Sequence, residues 1–350
     1  EMQRSLVGSE MCIRDRFQRG NLMAKNNSKT KKFAVLTSGG DASGMNACVR
    51  ACVRYGLNHG FEVYGVKHGY KGLVNDEIFK MEYSSVSNCV HAGGTILRSS
   101  RCPEFVDPDV MKKAVDNLLD KGIENLIVIG GDGSFRGIEA MHEQTKLNVI
   151  GIPGTIDNDM GYTDSTIGFD TACNTVVDAI LKLRDTITSH DRIMILEVMG
   201  RECGNIALNS AVAGGAEYVI VPEVPTDVDE VAATIKDGFD RGKSSAIIVL
   251  AEGKTELTDE LTQKISEATG RRVNHMALKW MQRGGNPTVE DRVLAAKMAC
   301  RAVELIECGQ SGRVIGIRGG EIFDTTVLEA LACKKGFDEK LYEIAQIISR

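Results

Sequence analysis

The chain has 350 residues, 43% of them hydrophobic and 26% charged, which excludes a small single module and a disordered or low-complexity chain. Its net charge of −6 supplies no basic field for a nucleic-acid backbone or an anionic membrane, and aromatics at 5%, with Trp280 the one tryptophan, offer no base-stacking surface. A small-molecule partner is therefore expected, and the 37 glycines, set against 6 prolines, mark where to look for it.

Residues 1–22 lack any sustained hydrophobic period, and the stretch 5–16 resembles translated read-through of a sequencing-library adapter. They are expected to be a non-native or disordered N-terminal segment, with Met23 as the natural start and a short basic lead-in up to Lys32. From Phe33 a regular alternation begins. An apolar run at 33–37 predicts a buried strand, 45–57 the helix after it and 61–66 the next strand. A helix at 110–119, a strand at 126–129, a helix at 134–142 and a strand at 149–152 follow. The pattern resumes with a long helix at 170–188, then strand 193–198, helix 203–212, strand 218–221, helix 228–241 and strand 246–250.

The segments 294–305 and 314–317 are expected to return to the first sheet. This repetition predicts an α/β fold of two doubly wound, mostly parallel α/β/α domains, both discontinuous and packed closely about a cleft. One is expected over 33–167 plus about 282–331, the other over about 168–281 plus 332–350. No apolar stretch approaches the roughly 20 residues of a membrane span, and no signal-peptide pattern is present. The ten cysteines show no CxxC spacing and the six histidines no zinc pattern, so buried free thiols in a reducing cytoplasm are expected.

Three glycine-rich turns sit just past predicted strands, at the sheet edge where ligands bind. Ser38-Gly39-Gly40-Asp41-Ala42-Ser43-Gly44 matches neither GxGxxG nor GxxxxGK[ST]; alone it reads equally as a phosphate turn or a mere tight turn. Gly130-Gly131-Asp132-Gly133-Ser134 offers a hard oxygen ligand for Mg²⁺ in Asp132 and clear space at Gly133. In Pro153-Gly154-Thr155-Ile156-Asp157-Asn158-Asp159, one carboxylate suits a base toward a hydroxyl and the other suits the metal or its waters.

Together with Met199-Gly200-Arg201 and Gln282-Arg283-Gly284-Gly285, these segments resemble the bacterial-type ATP-dependent 6-phosphofructokinase family from about Phe33 to the C-terminus. The resemblance implies a phosphofructokinase-like fold with an inter-domain active-site cleft. It also implies Mg²⁺-dependent transfer of the ATP γ-phosphate to the 1-hydroxyl of fructose 6-phosphate, giving fructose 1,6-bisphosphate and ADP in glycolysis. It assigns the nucleotide to Gly40, Arg101, Cys102, Gly131, Asp132, Gly133 and Ser134, and Mg²⁺ to Asp132. Asp157 becomes the general base, supported by Thr155, Asp159 and Arg201. The sugar phosphate falls to Thr155, Ile156, Asp157, Met199, Gly200, Arg201, Glu252 and Arg283, with Asn274 and Trp280 at further family positions. Arg192 is expected to reach in from a neighbouring subunit of a homotetramer with shared active sites. An effector site for ADP or phosphoenolpyruvate is implied at Arg50, Arg54, Arg184, Arg241 and Lys243, with Gly215 and Glu217 beside them.

Pyrophosphate-using relatives carry an acidic residue at the position of Gly133 and a lysine at that of Gly154; glycine at both points to ATP. Cys102 stands where many relatives have an aromatic, Asn274 and Trp280 where Arg and His are usual, and Tyr83 where an arginine is common. A pyrophosphate-dependent enzyme and a regulatory or altered-specificity phosphosugar kinase are the alternatives. A nucleotide or lipid kinase is opposed by residues 155–159 and by Arg283.

Overall fold

Strand β1 (Lys32–Thr37) shows how the first sheet is built: Phe33 and Val35 enter the core on one face, Ala34 and Leu36 on the other, and all four are fully buried. A strand covered on both faces needs a continuous apolar run, which the sequence supplies here and again at Leu126, Ile127, Val128 and Ile129. The computed structural model describes residues 31–349, so the expectation for residues 1–22 lies outside it.

After β1 come α1 (Met45–Asn58), β2 (Glu62–Val66), α2 (Gly69–Val74), β3 (Ile78–Met81), α3 (Pro108–Leu119), β4 (Asn125–Gly130), α4 (Asp132–Gln144) and β5 (Asn148–Pro153). Helix α5 (Phe169–Thr188) leads into β6 (Ile193–Val198), α6 (Asn205–Gly214), β7 (Tyr218–Ile220), α7 (Val228–Asp240), β8 (Ala246–Ala251), α8 (Thr258–Thr269) and β9 (Val273–Ala277). The long α9 (Val289–Glu307) returns to pack on α1, followed by β10 (Arg313–Arg318), β11 (Glu321–Thr326), α10 (Val327–Ala332) and α11 (Glu339–Ile348).

The larger sheet runs β11-β10-β5-β4-β1-β2-β3, parallel except at its antiparallel outer pairs, and the smaller runs β7-β8-β6-β9, parallel throughout. One core is continuous between them, joining Phe33 and Val35 of the first to Met194, Leu196 and Val198 of the second. Strand register then places the site. Thr37 lies opposite Ile129 and Gly130 opposite Pro153, so the three glycine-rich turns leave the sheet side by side. Val198 lies opposite Ala251, which brings residues 199–201 beside Glu252.

Several elements differ from the sequence reading. The edge strands β3 and β11 are half-exposed and lack an apolar run, and α8 buries only Leu261 and Ile265. The helix expected at 203–212 begins at Asn205, because Cys203 is held in a turn to the Gly200 carbonyl and Glu223 takes the Gly204 N–H. Asn274 lies on β9 as expected, whereas Trp280 falls in a 3₁₀ turn, Lys279–Arg283. Of the described cysteines only Cys48, Cys52 and Cys89 are buried, while Cys308 and Cys333 are exposed. Among the described residues no helix is long and apolar enough to cross a membrane.

Candidate active site

The three turns line a cleft of about 480 Å³ whose walls include Gly40, Arg101, Cys102, Gly131, Asp132, Gly133, Ser134, Thr155, Asp157, Arg201 and Arg283. Residues from six separate stretches of sequence thus share one space. The turns are packed against each other: a side chain at Gly130 would strike Ser134 and the Ser38 carbonyl, so the β4 turn can lie against the β1 turn only as glycine. Helix α4 opens at Asp132, and its first residues, Asp132, Gly133 and Ser134, line the cleft, so its N-terminus, a position that favours anions, borders that space. Buried Tyr70 steadies this helix start by donating to the Ser134 carbonyl at 2.6 Å.

The two glycines read as marks of the phosphoryl donor are not equivalent. A Cβ at Gly133 would meet nothing within 4 Å, so that position is open space. A Cβ at Gly154 would press on Ile129 at 3.0 Å and Met45 at 3.1 Å, so glycine there serves packing as well.

On the cleft floor Asp157 is almost fully buried, with Arg201 Nε 3.2 Å from its Oδ2, while Arg201 Nη1 lies 3.8 Å from Asp159. Burial and the neighbouring Asp159 charge push the Asp157 carboxyl up to about 6, against the opposing pull of Arg201 and Arg283. Its Oδ1 has no hydrogen-bond partner, and neither has the buried Oδ1 of Asp159. The Thr155 hydroxyl is 3.5 Å from Asp157 Oδ2 and accepts the Asp157 N–H at 3.3 Å. A buried carboxyl of this kind, with an acceptor atom uncommitted, is suited to taking a proton near neutral pH.

The wall opposite is held by Glu252, whose Oε1 accepts the backbone N–H of Gly200 at 3.1 Å and of Arg201 at 2.5 Å. Gln282, fully buried, accepts the Met199 N–H at 3.1 Å. Asn205 donates to the Asn158 carbonyl at 2.9 Å. Neither Gln282 nor Asn205 has a role in the sequence reading. Gln282 sits inside a quoted motif, but nothing in sequence marks Asn205.

Ile156 and Arg283 meet the cleft in ways the sequence does not show, and Arg192, Asn274 and Trp280 lie outside its lining. The Ile156 side chain is in the core, so its backbone alone can face a ligand. Arg283 folds back onto the first turn, donating to the Asp41 carbonyl at 3.1 Å and filling the space a side chain at Gly40 would need. Arg192 precedes β6 and is separated from Met199 by the whole strand, roughly 20 Å. Asn274, in register with Met194, lies toward that same far end. Trp280 is on the cleft side of β9 but 84% exposed and outside the cleft lining.

A second cluster forms around Glu217, which meets Arg184 at 3.0 Å and Lys243 at 3.8 Å, while Arg184 also donates to the Gly215 carbonyl at 2.6 Å. Arg241 lines a small cavity beside Glu217 and Lys243. Arg50 and Arg54 lie apart on α1, and among the described residues neither makes an ion pair with this cluster.

A carboxylate–phosphate Mg²⁺ site needs few protein ligands, because the ion keeps several waters and takes phosphate oxygens as well. Asp132, with a half-exposed carboxylate on the cleft wall and Arg136 at 3.1 Å as its neighbour, fits that use. Among the described residues no group of three or more His, Cys, Asp or Glu could enclose a metal by itself.

The family model described as phosphofructokinase matches residues 32–306. The chain is 54% identical over 322 residues to ATP-dependent 6-phosphofructokinase 1 of Clostridium perfringens, covering 91% of this chain and all of that one. It is 51% identical over 321 residues to an ATP-dependent 6-phosphofructokinase of Clostridium botulinum, again covering 91% of this chain and all of the relative. Among solved structures it superposes on Saccharomyces cerevisiae phosphofructokinase with a TM-score of 0.81 and 31% identity, covering 92% of this chain and 48% of the yeast one, so it spans about half of that longer protein. A pyrophosphate-dependent phosphofructokinase from Marinobacter aquaeolei matches with a TM-score of 0.79 at 20% identity, over 89% of this chain and 86% of that one, a likeness of fold alone.

Proposed function

Since the chain belongs to the ATP-dependent 6-phosphofructokinase family, we propose that the cleft between the two sheets is where it transfers the ATP γ-phosphate to the 1-hydroxyl of fructose 6-phosphate. The observation that carries this assignment of the site is Asp157: a buried carboxyl on the cleft floor, held near 6, with Oδ1 free to accept a proton.

The nucleotide phosphates lie along the first two turns, against the N-terminus of α4 and the open space at Gly133, with Arg101 and Cys102 at the rim. Asp132 would hold Mg²⁺, which when bound neutralises charge on the phosphate groups. Asp157 Oδ1 accepts the sugar hydroxyl proton as the oxygen attacks phosphorus. Arg201 couples the two events. In the free enzyme its exposed guanidinium lies over Asp157 and lowers the carboxyl's proton affinity. As it turns to the charge developing on the transferring phosphoryl group, that restraint is relieved and Asp157 becomes a stronger base at the moment of proton transfer. Glu252 and Gln282 hold residues 199–201 in place for this turn.

The sugar phosphate is bound from the other wall by Met199, Gly200 and Arg201, with Arg283 reaching from the first turn toward the 6-phosphate. The far position of Arg192 suits a residue that serves a neighbour's cleft in a homotetramer. The Glu217 cluster, lacking Arg50 and Arg54 within the same chain, suits an anionic effector such as ADP or phosphoenolpyruvate bound between subunits. Residues 33–167 with about 282–331 form the nucleotide domain in this reading, and about 168–281 with 332–350 the sugar domain. A reducing cytoplasm suits the buried thiols Cys48, Cys52 and Cys89.

Purified protein with fructose 6-phosphate and Mg²⁺ is expected to turn over with ATP and not with pyrophosphate in a coupled assay. Turnover with pyrophosphate alone, or with neither donor by folded protein, would overturn the reading. The rate should also climb with pH through about 6, because Asp157 must be ionised to accept the proton. A kcat profile flat from pH 5 to 8 would remove Asp157 from that role.

A further inference from the structure

Two of the three passages of the chain between its two halves meet at one buried side chain. The chain leaves the larger sheet through residues 154–168 and α5, and comes back through residues 283–288 and α9. Asp291, in the first turn of α9, is fully buried, and its carboxylate is directed at the start of α5. Its Oδ1 accepts the Gly168 N–H at 2.7 Å; its Oδ2 accepts the Thr171 N–H at 2.8 Å and the Thr171 hydroxyl at 2.5 Å. Gly168 is the N-cap of α5 and has no side chain to offer, so the cap of that helix is supplied by α9. The Thr171 hydroxyl in turn accepts the Thr288 N–H at 3.1 Å, which ties the returning segment into the same network.

The glycine turn after β1 is pressed onto this junction as well. A side chain on Gly44 would strike Ile167 and reach the Asp291 Cβ at 3.5 Å, one on Gly168 would strike Ala42, and the Ser43 hydroxyl donates to the Gly285 carbonyl at 2.9 Å. The loop that ends at Gly168 is the one that carries Asp157, and Thr166 anchors it by donating to the Thr155 carbonyl at 2.6 Å. The segment ending at Thr288 carries Arg283.

We propose that Asp291 is a positioning residue for the reaction: its carboxylate fastens the outgoing and returning segments together and so fixes the distance between Asp157 on one and Arg283 on the other. This rests on the reading of the cleft as the phosphoryl-transfer site. The carboxylate is needed because three donors converge on it, whereas an amide accepts at one atom and presents N–H groups at the other, setting donor against donor in a buried place. Misplacement of reacting groups by about 1 Å can cost about 10²-fold in rate.

Steady-state kinetics of Asp291→Asn, Thr171→Val and Thr171→Ser, each checked for native circular dichroism, test it. Asp291→Asn and Thr171→Val are expected to lower kcat by about 10- to 100-fold with the KM for ATP changed less than about threefold, and the double variant to be no slower than Asp291→Asn. Thr171→Ser, which keeps the hydroxyl, is expected to restore kcat. If Asp291→Asn does not fold, the Thr171 pair carries the comparison. Lowered melting temperature with unchanged kcat would make Asp291 a helix cap and nothing more, and overturn the proposal. Wild-type protein without ATP-dependent turnover would instead overturn the reading of the cleft.

Discussion

Asp157→Asn is expected to lose kcat by about 10²- to 10⁴-fold while keeping its affinity for ATP, since a general base acts in the transition state and the nucleotide turns lie on other loops. The same variant should be harder to melt. The folded-state carboxyl titrates near 6 against an ordinary 3.8, so folding favours the protonated form. The favourable contribution is fully present below about pH 4 and is lost as pH rises through 6, leaving a buried charge above that. Two units correspond to about 3 kcal/mol, an upper figure because Asn also loses the contact with Arg201. A melting temperature raised by a few degrees at pH 8, with the gain shrinking toward pH 4, is the expected pattern. A kcat loss below tenfold would show that another group takes the proton.

Gly133→Asp is the second large effect. Nothing in the protein lies within 4 Å of the added Cβ, and an acidic residue in the first turn of α4 suits the helix dipole, so the fold should be unaffected. The carboxylate would instead point into the space given to the phosphates, beside Asp132. Two like charges about 4 Å apart at an effective dielectric near 20 repel by about 4 kcal/mol, so kcat/KM for ATP should fall by roughly 10³-fold. Gly154→Lys should behave differently, because its Cβ presses on Ile129 and Met45 and costs stability as well. Unchanged ATP kinetics in Gly133→Asp, measured in the coupled assay, would dispose of the steric account of donor choice.

The fold was readable where burial makes the sequence monotonous. β8 and, from Leu126 onward, β4 are covered on both faces and must be apolar. β3 and β11 are edges, half-exposed and mixed in composition, and so carry no strand signal in the sequence. Within the site, the glycine turns and Asp132, Asp157 and Arg201 were visible because phosphates demand open backbone and phosphoryl transfer demands carboxylates. What sequence did not carry was distance. The fold-back of Arg283 onto Gly40, the bond from the Met199 N–H to Gln282 and the burial that raises the proton affinity of Asp157 all arise from neighbours remote in the chain.

The order of strands also bears on synthesis. β10 pairs with β5 by setting Arg313 beside Ile150, and β11 closes the sheet only after that. While the ribosome is still making residues 169–307, β5 waits with an open apolar edge, and the smaller sheet is complete before the larger one. A nascent chain stalled before Arg313 should therefore engage chaperones that shield exposed strands, and release them once β10 has emerged.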